Sequence, residues 1–212
     1  MPSSSSWSKH KAVIFDLDGT LYDNRPLHWR LPLSELFRFR LMFLSRERKA
    51  RRLLRGRAFE GEEAFYQALF SLISPRHPQQ AAQWYHGHYL PLQARILRRH
   101  CQPDAWVKPR LQELRAQGIR TVLYSDYSHA REKLLALGLA PALFDLIVDA
   151  PALGGLKPCR QSAQRLLDQL RLPASDVLFV GDRRECDGES ARQVGAHYLQ
   201  VVRQHGEVTF VP

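Results

Sequence analysis

Cysteine is scarce in this sequence. The 212 residues include only Cys101, Cys159 and Cys186, which lie far apart along the chain. Small secreted domains that depend on disulfide bonds carry a much denser set of cysteines. We therefore exclude a disulfide framework and expect three reduced thiols, as in a protein of the cytoplasm.

Long hydrophobic runs are also missing. No stretch of about 18 uncharged apolar residues occurs, so the sequence predicts no transmembrane helix. The first ten residues are rich in serine and lack the apolar segment of a signal peptide. We expect residues 1–10 to form a disordered tail and the protein to be cytoplasmic.

Acidic residues are few in one basic segment. Residues 25–57 contain eleven Lys or Arg against two acids, Glu35 and Glu47, so this segment contributes +9 to the formal net charge of +10. Such an excess favours an acidic partner: a phosphorylated substrate, an anionic membrane surface or nucleic acid. A solvated helix face is an equally open interpretation, and no recognised nucleic-acid motif accompanies the charge.

The remaining composition is that of a globular protein, with 44% hydrophobic and 25% charged residues. Five short apolar runs predict buried strands, at residues 12–15, 121–124, 146–148, 177–180 and 198–202. Helical patterns lie between them, at residues 109–117, 128–137, 161–170 and 188–194. This alternation predicts an α/β fold with a doubly wound parallel sheet, whose ligands bind beyond the carboxyl ends of the strands.

One connection is too long for a simple crossover. The helix at 109–117 already suffices to join the first two strands, so residues 25–100 are an insertion. Apolar residues recur there at helical spacing, as Leu33, Leu36, Phe37, Leu41 and Leu44, then Phe65, Leu69 and Leu72, then Trp84 and Tyr85. We expect residues 25–100 to form a helical cap domain over a core made of residues 11–24 and 101–212.

Polar side chains follow the ends of several predicted strands. Because the carboxyl ends of parallel strands meet at one edge of a sheet, these side chains should share one crevice. They are four carboxylates, one hydroxyl and one ammonium: Asp16, Asp18, Asp182, Asp187, Ser125 and Lys157. Neighbouring carboxylates repel each other or recruit a cation, and an oxygen-rich set that tolerates phosphate suits Mg²⁺.

The order of these residues resembles the haloacid dehalogenase (HAD) superfamily of hydrolases. The motifs occur in sequence as Asp16-x-Asp18-Gly-Thr20, then Ser125, then Lys157-Pro158, then Gly181-Asp182-x-x-x-x-Asp187. The resemblance covers about residues 11–202 and is strongest outside the cap. It implies a Rossmann-like core with a helical cap inserted after the first motif.

The resemblance also implies roles at the metal and at the nucleophile. Asp16 would attack phosphorus to form an aspartyl-phosphate, and Asp18 would act as general acid and then as general base. Mg²⁺ would bind Asp16, Asp182, the backbone carbonyl of Asp18, and Asp187 either directly or through water.

Three further residues would contact the substrate by the same resemblance. Ser125 would donate a hydrogen bond to a phosphoryl oxygen, and Lys157 would balance the charge on Asp16 and the phosphoryl group. Thr20 would orient the first loop. Positioned charge of this kind is most of what phosphoryl transfer needs from a protein.

The resemblance leaves several functions open. Dehalogenases and phosphonatases of the family lack an acid where Asp18 stands, so a Mg²⁺-dependent phosphatase acting on a small phosphomonoester is the leading hypothesis. A phosphomutase would use the same pair of aspartates. A non-catalytic protein that binds nucleic acid or anionic lipid through the basic cap is the third hypothesis, and the intact set of acids and lysine argues against it.

Two residues depart from the usual pattern of the family, and one glycine turn suggests a contact with the substrate. Asp126 and Ser190 stand where many relatives carry Asn and Gly. Arg55 and Arg57 flank Gly56, which favours a loop that dips towards the active site. An arginine there could clamp a second anionic group of the substrate by a bidentate contact, although solvated arginines are the alternative.

Overall fold

A six-stranded sheet forms the centre of the computed structural model, which describes residues 7–36, 41–204 and 206–212. The strands are β1 (Ala12–Phe15), β2 (Arg120–Ser125), β3 (Leu146–Asp149), β4 (Val177–Gly181), β5 (His197–Gln204) and β6 (Glu207–Val211). Their order is β3-β2-β1-β4-β5-β6. Neighbours among β1 to β5 pair in parallel, which confirms the predicted α/β fold.

The sixth strand is an addition to the predicted sheet. β6 pairs antiparallel with β5, and Gln204 lies opposite Glu207. Gly206, with φ of 86°, lies in the tight connection, where two-residue hairpin turns require a positive φ. The side chains of this edge strand are at most partly buried, so its sequence lacks the continuous apolar run that identifies the inner strands.

The sheet separates two apolar layers. Val13 and Phe15 of β1 pack on one face, whereas Ala12 and Ile14 pack on the other, as the alternation of side chains along a strand requires. On the second face lie α8 (Arg160–Leu170) and α9 (Glu189–Val194). On the first lie α6 (Val107–Ala116) and α7 (Ala130–Ala136), whose apolar cluster continues into residues 25–100.

The described residues between 25 and 100 form helices and turns. The helices are α1 (Arg25–Leu36), α2 (Leu41–Leu54), α3 (Glu62–Ile73), α4 (Pro78–Trp84) and α5 (Leu90–His100), with a π-helical turn at Tyr85–Tyr89. We retain residues 25–100 as the proposed cap. No helix in the described parts of the chain combines the length and the apolar character needed to cross a membrane.

The predicted cap stripes are buried only in part, and Leu72 of α3 is exposed. Phe65, Leu69, Trp84 and Tyr85 are buried. In α1 the buried leucines are Leu27 and Leu31, whereas Leu33, Leu36 and, at the start of α2, Leu41 are exposed. Pro32 lies inside α1, and Phe37 of the predicted stripe lies outside the described residues.

The prediction of a disordered tail needs correction from residue 7 onward. Trp7 is fully buried, with its ring centroid 6.0 Å from Phe15 and 5.5 Å from Phe210. The Arg110 guanidinium lies 5.0 Å from the centre of the same ring. A large aromatic side chain thus anchors the start of the core, while residues 1–6 lie outside the described part.

Candidate active site

Two strand-end loops meet at the carboxyl edge of the sheet. Asp16 directly follows β1 and is buried, and its amide donates to Val180 of β4. Gly19 has φ of 95°, and a Cβ atom there would clash with the carboxylate of Asp182. Glycine therefore lets the first loop approach the loop that follows β4.

Thr20 connects the same two loops. Its hydroxyl donates to Asp16 Oδ2 at 3.0 Å and accepts from the amide of Asp182, also at 3.0 Å. This buried side chain therefore holds the two loops, and with them the carboxylates of Asp16 and Asp182, in a fixed relative position.

Three carboxylates converge at this point. Oxygen atoms of Asp16, Asp182 and Asp187 all lie within 4.8 Å of one another. Asp187 is carried by a π-helical turn, Arg184–Gly188, and a Cβ atom on Gly181 would clash with it. The glycine before Asp182 is therefore needed for the approach of the third carboxylate.

Burial and the neighbouring negative charges raise the pKa values of two of these carboxyl groups. Burial, together with the carboxylates of Asp187 and Asp182, raises the pKa of Asp16 to about 7 despite the opposing charge of Lys157. Burial and Asp187 raise the pKa of Asp182 to about 6. The cluster is thus electrostatically costly as it stands and would be stabilised by a cation.

The donor set fits a hard divalent cation. Asp182 Oδ1 is buried and has no hydrogen-bond partner among the described residues, with the Arg183 guanidinium 3.9 Å away. An orphaned carboxylate oxygen within an all-oxygen set matches the ligands that Mg²⁺ prefers.

Lys157 supplies the positive charge next to this cluster. Its ammonium lies 2.6 Å from Asp16 Oδ1, 2.6 Å from Asp187 Oδ1 and 3.1 Å from the carbonyl of Tyr124. Burial disfavours the ammonium, but the two carboxylates outweigh it and hold the pKa of Lys157 well above its usual range.

Asp18 lies in the same cleft but has a different environment. The Lys133 ammonium donates to its two oxygens at 2.8 and 3.1 Å, and the Tyr22 hydroxyl donates to Oδ1. Burial opposes charge on Asp18, yet these partners hold its pKa below the usual value. The pKa values of Asp16 and Asp18, two residues apart, are therefore shifted in opposite directions.

Lys133 was missed by the sequence analysis. It lies on α7, is 1% exposed and reaches Asp18 across 115 positions of the chain. In the sequence, Lys133 is a lysine within the apolar pattern of a predicted amphipathic helix. Many surface lysines occur in such a pattern, so it does not indicate a buried position.

Ser125 and Asp126 follow β2. The Ser125 hydroxyl is buried, donates to the carbonyl of Tyr127 at 3.1 Å and accepts from its amide at 3.2 Å. Asp126 Oδ1 accepts from the amide of Lys157 at 2.8 Å, and Oδ2 lies 3.5 Å from Arg183. The additional carboxylate therefore holds the loop that carries Lys157.

A second missed residue, Arg51 of α2, connects the cap helices to this edge. Its guanidinium is buried, donates to Glu47 and to the Tyr85 hydroxyl, and donates to the carbonyl of Asp126 at 3.0 Å. Tyr127 lies beneath it, 4.2 Å from the guanidinium carbon to the ring centre. A side chain of the proposed cap thus contacts the loop that bears Ser125 and Asp126.

A cavity of about 430 Å³ opens between α2 and the carboxyl end of the sheet. Asp18, Asp126 and Lys133 lie on its core side, and Arg55 lies on the cap side. Arg57 does not line it, and its guanidinium carbon is instead 5.9 Å from the ring centre of Phe59. Of the two arginines suggested as an anion clamp, only Arg55 is placed at the cleft.

The loop that carries these arginines packs beside the segment that precedes Lys157. Gly56 has φ of 75° and donates its amide to Leu156 at 3.2 Å, and Phe59 donates to Gly154 at 2.7 Å. The predicted approach of a glycine turn to the site is therefore present, through backbone contacts with the residues that precede Lys157.

Solved structures share this architecture. L-2-haloacid dehalogenase from Xanthobacter autotrophicus aligns with a TM-score of 0.63 at 19% identity, over 92% of this chain and 78% of that protein. A HAD phosphatase from Thermococcus onnurineus aligns with a TM-score of 0.61 at 21% identity, over 93% and 88%. At such identities the likeness shows the fold.

Sequence comparison covers less of the relatives. The enolase-phosphatase E1 of Erwinia tasmaniensis is 31% identical over 112 residues, which are 49% of this chain and 45% of that relative. The chain thus spans less than half the length of this curated relative. A family model of haloacid dehalogenase-like hydrolases matches residues 10–195. With nearly the entire chain covered by that match, this protein belongs to the haloacid dehalogenase-like hydrolase family.

Proposed function

We propose that this protein is a Mg²⁺-dependent phosphatase that hydrolyses a small phosphomonoester through an aspartyl-phosphate on Asp16. The observation that carries the proposal is the convergence of Asp16, Asp182 and Asp187 beside the buried ammonium of Lys157. Similarity to proteins named enolase-phosphatase and glyceraldehyde 3-phosphate phosphatase supports the same type of reaction.

In the first step, a carboxylate oxygen of Asp16 forms a bond to phosphorus while the bond from phosphorus to the leaving oxygen breaks. Asp18 donates its proton to that oxygen, so the leaving group departs as a neutral alcohol. Lys157, in contact with Asp16, offsets the charge of the phosphoryl group.

In the second step, a water oxygen forms a bond to phosphorus and the bond to Asp16 breaks. Asp18 accepts the proton that the water loses. The products are inorganic phosphate and the free carboxylate of Asp16, so the protein returns to its starting state.

Lys133 favours the ionised form of Asp18, which suits the second step. For the first step, the phosphoryl group of the substrate is an alternative anion for the Lys133 ammonium, and this competition would let Asp18 keep a proton. The Ser125 hydroxyl would turn from the Tyr127 carbonyl to a phosphoryl oxygen. Thr20 would hold the first loop against Asp182 throughout.

Asp16, Asp182 and Asp187, with the backbone carbonyl of Asp18, would hold Mg²⁺, which supplies positive charge against the phosphoryl oxygens and the carboxylates. We place the protein in the cytoplasm because Cys101, Cys159 and Cys186 are buried free thiols, as a reducing compartment maintains.

The test is the release of inorganic phosphate from a panel of phosphorylated metabolites and from an aryl phosphate, with Mg²⁺ and with EDTA. We expect Mg²⁺-dependent release by the wild type and by Asp168→Asn, which removes an exposed carboxylate of α8. Asp16→Asn should lose at least about a thousandfold in kcat, since an amide is a poor nucleophile. Turnover that persists in EDTA or in Asp16→Asn contradicts the proposal, and an isomerised phosphoester as the product indicates a mutase.

A further inference from the structure

Three arginines lie on one face at the end of α2. Arg48, Arg52 and Arg55 are spaced by four and three residues, and all three line the cavity that also contains Asp18. Helical hydrogen bonding continues to Arg55, whose amide donates to Arg51 at 2.9 Å. Residues at this spacing share a helix face, so we name Arg48, Arg52 and Arg55 the arginine face.

The arginine face lacks a carboxylate partner in the described part of the chain. Within residues 7–36, 41–204 and 206–212, none of its guanidinium groups forms an ion pair with a carboxylate, and the one side-chain hydrogen bond is from Arg52 Nε to the carbonyl of Arg48. Like charges four residues apart on a helix destabilise it. An arrangement that costs stability in the free protein would be relieved by a bound anion.

The carboxylates of the same cavity are already matched by other cations. Asp18 pairs with Lys133, and Asp126 faces Arg183. Arg51 lies between members of the arginine face in the sequence. Its guanidinium forms an ion pair with Glu47. The positive charge of Arg48, Arg52 and Arg55 is therefore in excess over what the cavity walls neutralise.

The position of Asp18 decides which part of a substrate the arginine face would meet. In the proposed function, on which this inference rests, Asp18 protonates the leaving oxygen, so the leaving alcohol extends from Asp18 into this cavity. Guanidinium groups bind planar and tetrahedral oxyanions through two parallel hydrogen bonds. We infer that the substrate is a phosphomonoester whose alcohol carries a second oxyanion, a carboxylate or a phosphate, held by the arginine face.

The inference is tested with esters that differ only at the far end of the leaving group. Propyl phosphate carries no second charge, 3-phosphonooxypropanoate carries a carboxylate, and propane-1,3-diyl bisphosphate carries a phosphate; the homologues with four and five carbons cover other lengths. We expect kcat/KM of the wild type to be at least about tenfold higher for one charged class than for the neutral esters, and which class wins identifies the oxyanion.

Variants assign this preference to the arginine face. Arg48→Gln, Arg52→Gln and Arg55→Gln should each lower the ratio of charged to neutral kcat/KM by roughly tenfold, mainly through KM of the charged ester. Lys49→Gln removes the same charge from an exposed position of α2 outside the cavity and should keep the wild-type ratio. The inference would be overturned if the wild type had the same kcat/KM for charged and neutral esters. It would also be overturned if Lys49→Gln and Arg52→Gln changed the ratio of charged to neutral kcat/KM equally.

A binding measurement separates this inference from the proposed reaction. Titration calorimetry of propane-1,3-diyl bisphosphate and of 3-phosphonooxypropanoate into Asp16→Asn protein with Mg²⁺ needs no turnover. Adding Arg52→Gln should weaken binding of the preferred ligand about tenfold, whereas adding Lys49→Gln should not. If the wild type hydrolyses no ester but this difference is found, the phosphatase proposal fails and the anion site stands. If Arg52→Gln leaves binding unchanged, the anion site is wrong whatever the activity.

Discussion

At the residue scale, Asp182 is a carboxylate whose negative charge is opposed by burial. Its pKa is raised by burial and by Asp187, so the ionised carboxylate destabilises the metal-free fold. Asp182→Asn should therefore leave the melting temperature in EDTA equal to that of the wild type or higher. The increase in melting temperature on adding Mg²⁺ should shrink, because an amide is a poorer ligand than a carboxylate.

Differential scanning fluorimetry with and without Mg²⁺ measures both effects, and Asp168→Asn serves as the control at an exposed carboxylate. A variant that melts several degrees lower in EDTA and keeps the full Mg²⁺ response would show that Asp182 stabilises the fold instead of binding the cation.

Asp18 has an effect that depends on the substrate. Asp18→Asn cannot give a proton to the leaving oxygen, so alkyl phosphates, whose alcohols are poor leaving groups, should lose about a hundredfold or more in kcat. Activated aryl phosphates need no proton and should lose much less. Steady-state kinetics on a series of esters with different leaving-group pKa values gives the comparison. An equal loss of kcat for all esters of the series would contradict the role of Asp18 as general acid.

At the scale of elements, α2 is the helix of the proposed cap whose side chain Arg51 contacts the candidate site. Arg51→Met would leave Glu47 buried without its partner and break the contact with the Asp126 carbonyl. We expect a loss of about 3–5 kcal/mol in the free energy of unfolding, measured by urea titration. Adding Glu47→Leu should recover part of the loss, since no uncompensated charge then remains. Lys49→Met, on the exposed side of α2, should change stability by less than about 0.5 kcal/mol.

A stability of Arg51→Met equal to that of Lys49→Met would mean that the buried ion pair does not hold α2 in place.

The elements themselves were predictable to different degrees. β1, β2 and β4 are marked by apolar runs that form buried strands, because both faces of the inner sheet are covered by helices. The runs of β3 and β5 also form strands, but these are only partly buried. β6 depends on pairing with β5 and lacks such a run. In α1, Leu33 and Leu36 follow the helical period yet are exposed, since periodicity does not say which face a neighbouring helix covers.

At the scale of the whole molecule, the sequence motifs identify the carboxylates that converge at the site. The motifs do not identify the basic side chains that reach the site from helices. Asp16, Asp182 and Asp187 are adjacent because their strands end at the same edge of the sheet. Lys133 and Arg51 reach the cleft from helices, and their contacts span 115 and 75 positions of the chain. No local pattern marks such partners, since the tertiary packing decides which lysine or arginine of a helix points inward.

Trp7 connects both ends of the chain to the central sheet. Its ring contacts Phe15 of β1 and Phe210 of β6, so Trp7→Ala should cost about 3–5 kcal/mol in the free energy of unfolding. Trp29→Ala is the control, because that side chain is 52% exposed, and it should cost less than about 0.5 kcal/mol. Chemical denaturation measures both variants. Equal stabilities would show that the N-terminal segment does not contribute to the core.

The central claim is that Asp16 carries the phosphoryl group between the two steps, and its most direct test is to trap that group. The protein is mixed with Mg²⁺ and the best substrate, quenched in acid within one turnover and digested, and the peptides are examined by mass spectrometry. We predict a phosphoryl group on the peptide that contains Asp16 in the wild type and in Asp168→Asn, and none in Asp16→Asn. Phosphate release with no phosphorylated Asp16 peptide, or a phosphoryl group on another residue, would contradict the account.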